Sequence, residues 1–322
     1  MCGIRPTDVM NQNRRKFLKH AGGGLVAASL ASATKLTAAA ASVSSPLTST
    51  SGEKGLPANW RTMRKFDAHN HVFLFGGRRG NSDWADADNL VETADVLGIE
   101  KVFCSRPVTG GVMANIDVVR DSNDAVLGAM KRHPKRIGGY CFVQPGNGAE
   151  ALAEIDRCLD AGMIGVKLYN QFKFSDPVVY PIAEKCIARG IPFLGHSAFL
   201  TDPRTLASQP KTSHALDFCA LSKRYPELIL ILGHVNGGGD WEWAIKGLRE
   251  CSNVFVDTSG SVLEDDAIGL CVQALGHARV LFATDATFEG CVGKILSTEL
   301  TTAQREDIFW RNFQRILERR KA

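Results

Sequence analysis

The chain has 322 residues, of which 44% are hydrophobic and 22% are charged, a composition typical of a globular protein with a large core. Its formal net charge is +4, but residues 1–41 hold six basic side chains and one acidic side chain, a net of +5, so the remainder carries −1. Because the body of the chain has no basic excess, neither nucleic acid nor an anionic membrane is an indicated partner.

This N-terminal segment has the pattern of a targeting signal. The pair Arg14–Arg15 precedes an uncharged run at 21–34, and Ala38 and Ala40 offer a cleavage site between small residues. The segment resembles a twin-arginine (Tat) signal peptide and departs from the S/T-R-R-x-F-L-K pattern only at Asn13. The resemblance implies passage of a folded protein through the Tat translocon to the periplasm or the extracellular space. The alternative is a basic amphipathic tail with a chance arginine pair.

Residues 42–62 are rich in Ser, Thr, Pro and Gly and predict a flexible linker, which leaves 63–322 as a single domain. No later apolar run has the length of a membrane span, so we expect a soluble mature protein without a stable membrane anchor. Eight cysteines follow the N-terminal segment and none forms a C-x-x-C pair. Since a Tat substrate folds before export, we expect mostly free, buried thiols.

From Met63 onward, short apolar runs alternate with segments of helical period. Strands are predicted at 66–71, 100–105, 136–143, 164–169, 191–196, 228–234, 253–258 and 279–285. Helices are predicted at 86–97, 115–132, 149–162, 178–189, 213–224, 241–250, 263–275 and 302–319. Strict alternation of eight strands and eight helices favours a parallel sheet closed into a (β/α)₈ TIM barrel. An open doubly wound sheet is the alternative, because a sequence does not show closure.

Polar side chains are found at the ends of the predicted strands. They are His69, His71, Lys167, His196, His234 and Asp285. In a parallel barrel these ends meet at one mouth, where catalytic groups are found. A single histidine or aspartate at a strand end is usually structural, but burying this whole set without partners would cost several kcal/mol. A metal ion is the natural partner for convergent imidazoles and a carboxylate.

The motifs at these positions resemble those of the amidohydrolase superfamily, and more narrowly those of its Amidohydrolase 2 branch of TIM-barrel metal-dependent hydrolases. The resemblance extends over about 64–319. It is carried by DAHNH (67–71), GVKLY (165–169), FLGH (193–196), LGHVNGGG (232–239) and LFATD (281–285).

This resemblance implies a metal site at the barrel mouth. His69, His71 and His196 would be ligands, and Asp285 would hold the metal and accept the proton of an attacking water. His234 would bind a second metal or act as a non-ligating base or carbonyl polariser. Lys167 would be a ligand only if it is carboxylated to bridge two ions. We therefore expect one or two divalent ions, most simply Zn²⁺, which makes hydroxide available near neutral pH.

The resulting expectation is hydrolysis of an ester, lactone or amide bond in a small molecule. Arg106, Tyr169 and Trp241 are the predicted substrate-binding residues, because they lie at or beyond the C-terminal ends of predicted strands, where the pocket is built. A metal-dependent decarboxylase or other lyase, a metal-independent lactonase, and a non-catalytic exported binding protein are the alternatives. The sequence does not indicate the substrate or the oligomeric state.

Overall fold

The computed structural model describes residues 56–72, 85–108, 111–235, 237, 241–260 and 262–320. The Tat-like segment and residues 42–55 of the predicted linker lie outside this range. The described end of the linker forms consecutive turns, and Lys65 donates from Nζ to the Trp60 and Met63 carbonyl oxygens at 2.6 and 2.9 Å. Among the described helices, none has both the length and the apolar character that crossing a bilayer requires.

Eight strands alternate with helices in this range. The strands are β1 Phe66–His71, β2 Lys101–Ser105, β3 Ile137–Phe142, β4 Gly165–Leu168, β5 Pro192–His196, β6 Ile229–Gly233, β7 Val254–Asp257 and β8 Val280–Leu281. The helices are α1 Ala85–Val96, α2 Ile116–Arg132, α3 Ala149–Asp160, α4 Tyr180–Arg189, α5 Pro203–Ser208, α6 Ala215–Arg224, α7 Trp241–Gly247, α8 Ala267–Leu275, α9 Phe288–Ser297, α10 Thr302–Glu306 and α11 Asn312–Leu317.

The strands form one parallel sheet in the order β1 to β8. The sheet closes because the segment after β8 returns to β1: Ala68 donates its backbone N–H to the Phe282 carbonyl oxygen at 2.9 Å, and Asp285 donates to the His69 carbonyl oxygen at 2.9 Å. Closure confirms the predicted TIM barrel and excludes the open sheet.

The barrel interior changes in character along its axis. Where the strands begin, Phe66, Phe103, Tyr140 and Leu281 pack together in an apolar core. Phe313 of α11 covers this end, with its ring centroid 4.9 Å from that of Phe103. The polar side chains are therefore confined to the opposite end, where the strands finish.

Three features of the helical layer differ from the sequence prediction. Helices α5 and α9 were not predicted, and a π-helical turn at Asp307–Arg311 divides the predicted C-terminal helix. Helix α9 contains Gly290 and Gly293, which lower its intrinsic helix propensity. Burial of its apolar face, including Ile295, stabilises it in spite of those glycines.

Candidate metal centre

The end of β1 and the segment after β8 bring an imidazole pair and a carboxylate together. His71 Nε2 lies 2.9 Å from Asp285 Oδ1, and one ligand atom from each of His69, His71 and Asp285 falls within 4.8 Å of the other two. The backbone of Asp285 has φ +46°, a left-handed conformation that aspartate adopts more readily than most residues. This bend turns the carboxylate back toward β1.

His69 is held with a lone pair directed into the cluster. Its Nδ1 lies 2.8 Å from Asp257 Oδ2, and because an ionised carboxylate only accepts, Nδ1 carries the proton. Its Nε2 is therefore an acceptor, and the Lys167 ammonium donates to it at 2.6 Å. Gly233 makes room for the ring, since a Cβ there would lie 3.1 Å from His69 Cε1 and 2.7 Å from the Gly195 carbonyl oxygen.

His71 and Asp285 are placed so that one divalent ion could bind both. His71 Nδ1 lies 3.2 Å from both the carbonyl oxygen and the hydroxyl oxygen of Ser105, and its Nε2 lies 2.9 Å from Asp285 Oδ1, where it donates a hydrogen bond to the carboxylate. With the proton instead on Nδ1 and directed at the Ser105 carbonyl oxygen, Nε2 would offer a lone pair. Two ligands that are each about 2.1 Å from one ion lie about 3 Å apart, which matches the separation of Nε2 from the carboxylate.

Asp257, at the end of β7, also sets the remaining two histidines through a hydrogen-bond chain. Ser259 Oγ donates to Asp257 Oδ1 at 2.6 Å and so accepts from His234 Nδ1 at 2.9 Å. His234 Nε2 then accepts from His196 Nδ1 at 3.1 Å. The chain leaves a lone pair on His196 Nε2. One carboxylate therefore fixes the tautomers of His69, His234 and His196.

Burial governs the charges of this cluster. Burial lowers the pKa of His69 to about 3 and also lowers that of His196 and His234, so these imidazoles are neutral, as metal ligands must be. Burial lowers the pKa of Lys167 to about 8, against the opposing charges of Asp285 and Asp257.

The two carboxylates remain ionised in spite of burial. Burial raises the pKa of Asp257, but His69, His234 and Ser259 together outweigh it and hold the pKa well below its usual range. Burial likewise raises the pKa of Asp285, and His234 and His71 together lower it far below the usual value. Asp285 is the more accessible of the two, with 29% of its side chain exposed, so it is the carboxylate that a bound molecule can reach.

The three predicted substrate-binding residues occupy different places. The Tyr169 ring lies against His196, with centroids 4.4 Å apart, at the edge of the cluster. Arg106 follows β2 at the same end of the barrel and is partly exposed; among the described contacts it makes no hydrogen bond or ion pair with the cluster. Trp241 is buried on the outer side, where its Nε1 donates to Glu264 Oε2 at 2.8 Å.

Two openings bordered by described residues reach the cluster. An open cleft with an accessible volume of about 330 Å³ lies beside His71 and is bordered by Asp86, Phe288 and Glu289. A narrow slot next to His234 is mainly apolar and aromatic and has an accessible volume of only about 10 Å³, room for about one water molecule. Its lining includes Phe199, His214, Val235, Trp243 and Ala244.

Asp257 is a positioning residue, because it fixes the tautomers of three histidines, and the sequence analysis missed it. Its substitution by Asn is expected to weaken divalent-metal binding about 10- to 100-fold. An amide nitrogen placed opposite His69 Nδ1 favours the tautomer with the proton on Nε2, which removes the ligand lone pair. Isothermal titration with Mn²⁺ or Zn²⁺ measures the change in Kd without an activity assay.

Two variants serve as controls for this titration. Asp121→Asn changes an exposed carboxylate on α2 and is expected to leave Kd unchanged. Ser259→Ala interrupts only the branch to His234 and leaves the Asp257–His69 contact, so it is expected to have a smaller effect. An unchanged Kd in Asp257→Asn would show that the carboxylate does not set the His69 tautomer.

The fold and the site define a TIM-barrel protein with a histidine–carboxylate centre suited to a divalent metal. Comparison with protein families agrees, because the amidohydrolase model (Amidohydro_2) matches residues 66–319. The chain belongs to this amidohydrolase family. The family and the His69–His71–Asp285 cluster together support a divalent metal.

Solved structures with the same fold include several decarboxylases. 2,6-Dihydroxybenzoate decarboxylase from Rhizobium is 17% identical, with a TM-score of 0.61 over 83% of this chain and 99% of its own. 5-Carboxyvanillate decarboxylase from Sphingomonas paucimobilis is 17% identical, with a TM-score of 0.61 over 80% and 99%. A dihydroxybenzoic acid decarboxylase from Polaromonas sp. JS666, solved with manganese and 2-nitroresorcinol, is 18% identical, with a TM-score of 0.59 over 84% and 98%. At these identities the likeness establishes the fold alone.

Proposed function

We propose that this chain is an exported, metal-dependent decarboxylase of a small aromatic carboxylic acid. His69, His71, His196 and Asp285 hold one divalent ion, and Asp285 and His234 handle the proton. This proposal replaces hydrolysis, the leading expectation from the sequence, with its decarboxylase alternative. The decarboxylases that share the fold support it, as do the charge of the site and the shape of its approach.

The charge of the site carries the proposal. The charged groups at the centre are one ammonium, on buried Lys167, and two carboxylates, on buried Asp257 and partly exposed Asp285. A divalent cation changes the net charge of this set from −1 to +1. A site with a net positive charge attracts an anion such as a carboxylate. A carboxylated Lys167 would instead make the loaded site negative, so the proposal has Lys167 as an uncarboxylated ammonium that would give up its hydrogen bond to His69 Nε2 to the ion.

The cleft beside His71 indicates the rest of the substrate. Its accessible volume of about 330 Å³ is at the lower end of the range for small-molecule pockets. Leu90 and Phe288 border it and offer apolar surface to a flat ring, which prefers stacked or edge contacts with aromatic side chains. The slot next to His234 has room only for about one water molecule, so the ring is placed in the cleft. A single substituted ring is the substrate of matching size.

A divalent ion at this centre would act as a Lewis acid that draws electron density from a bound oxygen. In decarboxylation the bond between the ring carbon and the carboxylate breaks, carbon dioxide leaves, and the electron pair remains on the carbon, which takes a proton. Asp285 Oδ2 and His234 Nδ1 are 3.6 Å apart. These two groups are placed to take a proton from the substrate and return it to that carbon.

Hydrolysis is the second candidate, and the low pKa of Asp285 favours it. A carboxylate that stays ionised at neutral pH can accept the proton of an attacking water. The two reactions use the same residues and differ in which bond breaks. A test must therefore offer both bonds on the same ring.

Matched pairs of substrates separate the two reactions. Hydroxylated benzoic acids and their methyl esters are incubated with Mn²⁺- or Zn²⁺-loaded protein, and carbon dioxide and products are measured. We expect carbon dioxide from at least one acid, and none with His69→Ala. Ester cleavage without carbon dioxide release would establish hydrolysis instead. Tight binding without turnover of either member would favour a binding protein.

The same samples test the metal count. Elemental analysis is expected to give about one ion per chain, and intact mass is expected to show no added carbon dioxide on Lys167. Two ions together with that added mass would replace the one-metal site by a binuclear one.

Export is tested separately, in cells. Replacing Arg14 and Arg15 by lysine is expected to keep the chain in the cytoplasm, as cell fractionation would show.

A further inference from the structure

Two cysteines in the outer layer of the barrel lie unusually close together. Cys219, in α6, and Cys251, between α7 and β7, have Sγ atoms 2.8 Å apart. Even carbon atoms, which are smaller, make van der Waals contact at about 3.5–4.0 Å. Two separate thiols are therefore compressed at this distance. A covalent bond between the sulfurs, at about 2.04 Å, removes the conflict.

The closeness of the two sulfurs, rather than a low thiol pKa, is what favours a bond between them. Cys219 is 7% exposed and Cys251 is 3% exposed. Burial raises the pKa of the Cys219 thiol to about 12, the neighbouring Cys251 adds to the rise, and the charges of Lys223 and Arg279 oppose it. Because the thiolate is the reactive form, we expect the reaction to be slow at neutral pH and faster as the pH rises.

A second pair of thiols, Cys141 and Cys158, also lies close together, since their sulfurs and a Glu154 carboxylate oxygen fall within 4.8 Å of one another. Cys158 donates to Glu154 Oε1 at 3.3 Å, and Cys141 donates to the Phe142 carbonyl oxygen at 3.6 Å. Both of these cysteines are completely buried. Cys186 is also completely buried, which makes it a suitable control for oxidation.

We propose that Cys219 and Cys251 form a disulfide bond when the protein meets a disulfide oxidant. The thiolate of one cysteine attacks the oxidant and forms a mixed disulfide, which the second thiolate then resolves. Each cysteine loses one proton and one electron. The oxidant gains both electrons and both protons and leaves as two thiols. The proposed export would supply an oxidising compartment, where such bonds persist.

The bond would close a loop that contains part of the candidate site. The two cysteines are 32 positions apart, and the segment between them includes β6, His234 and α7. Restricting this segment in the unfolded chain stabilises the folded protein. For a domain of this size we expect oxidation to raise the thermal midpoint by about 5–10 °C.

The experiment treats folded full-length protein with oxidised glutathione and compares it with protein kept in a reductant. Wild type and Cys186→Ala are expected to lose two titratable thiols and two hydrogen atoms in intact mass, and to show the higher midpoint. In Cys219→Ala and Cys251→Ala, the remaining cysteine of the pair has no partner. We therefore expect no bridge in these variants and the same thermal midpoint in both conditions.

Two results would overturn the disulfide. One is wild-type protein that retains all its thiols after oxidation. The other is a bridge that persists in Cys219→Ala or Cys251→Ala, because the bond would then join other cysteines. The comparison uses no substrate and no metal, so its outcome is independent of the proposed decarboxylase activity.

Discussion

Replacing Asp285 by Asn is expected to lower kcat/KM about 10³-fold while the protein remains folded. Asparagine keeps the size of the side chain and tolerates the left-handed backbone at φ +46°. It removes the negative charge that faces His71 at 2.9 Å and the proton acceptor that faces His234 at 3.6 Å. The rate is measured on the acid that the matched-substrate experiment identifies, and metal content is measured alongside.

Asp266→Asn is a matched control for this substitution. Asp266 is also an aspartate in the left-handed region, at φ +55°, but it is exposed at the start of α8 and has no side-chain capping bond. We expect this variant to retain full activity. If Asp285→Asn kept wild-type kcat/KM with normal metal content, the carboxylate would have no part in proton transfer.

Much of the fold could be predicted because buried parallel strands are continuous apolar runs, and all eight predicted runs contain a strand. Helix α9 could not be predicted in the same way. Gly290 and Gly293 weaken its local signal, and its stability comes from packing against the rest of the barrel. The π-helical turn at Asp307–Arg311 likewise has no sequence signature in the periodicity.

The residues of the candidate site could also be predicted only in part. His69, His71 and Asp285 could be placed together because strand order alone brings the ends of β1 and β8 side by side. Asp257 was missed, since a single aspartate at the end of a strand is usually structural. Its partner His69 is 188 positions away, and the contact depends on the register of two strands across the barrel. No sequence pattern indicates the role of Ser259, because only the fold places its hydroxyl between Asp257 and His234.

Asp67 gives the largest expected effect on stability: Asp67→Ala should lower the free energy of unfolding by about 3–5 kcal/mol. Its carboxylate is completely buried and accepts hydrogen bonds from Thr284 N at 2.9 Å, Thr284 Oγ1 at 2.6 Å, Asn70 Nδ2 at 2.8 Å and His69 N at 3.3 Å. Burial raises the pKa of Asp67 to about 7, and these hydrogen bonds oppose the rise. Alanine leaves buried donors without an acceptor.

This substitution also tests what closes the barrel, because Asp67 links β1 to the segment that carries Asp285. Asp88 is the matched control: Arg132 and His133 donate three hydrogen bonds to it, but 34% of its side chain is exposed. In Asp88→Ala, water takes the place of the deleted carboxylate as the acceptor for these donors. The decrease in the free energy of unfolding, measured in urea, should therefore be a small fraction of the decrease in Asp67→Ala. Equal losses would mean that burial of the Asp67 carboxylate does not decide its contribution to stability.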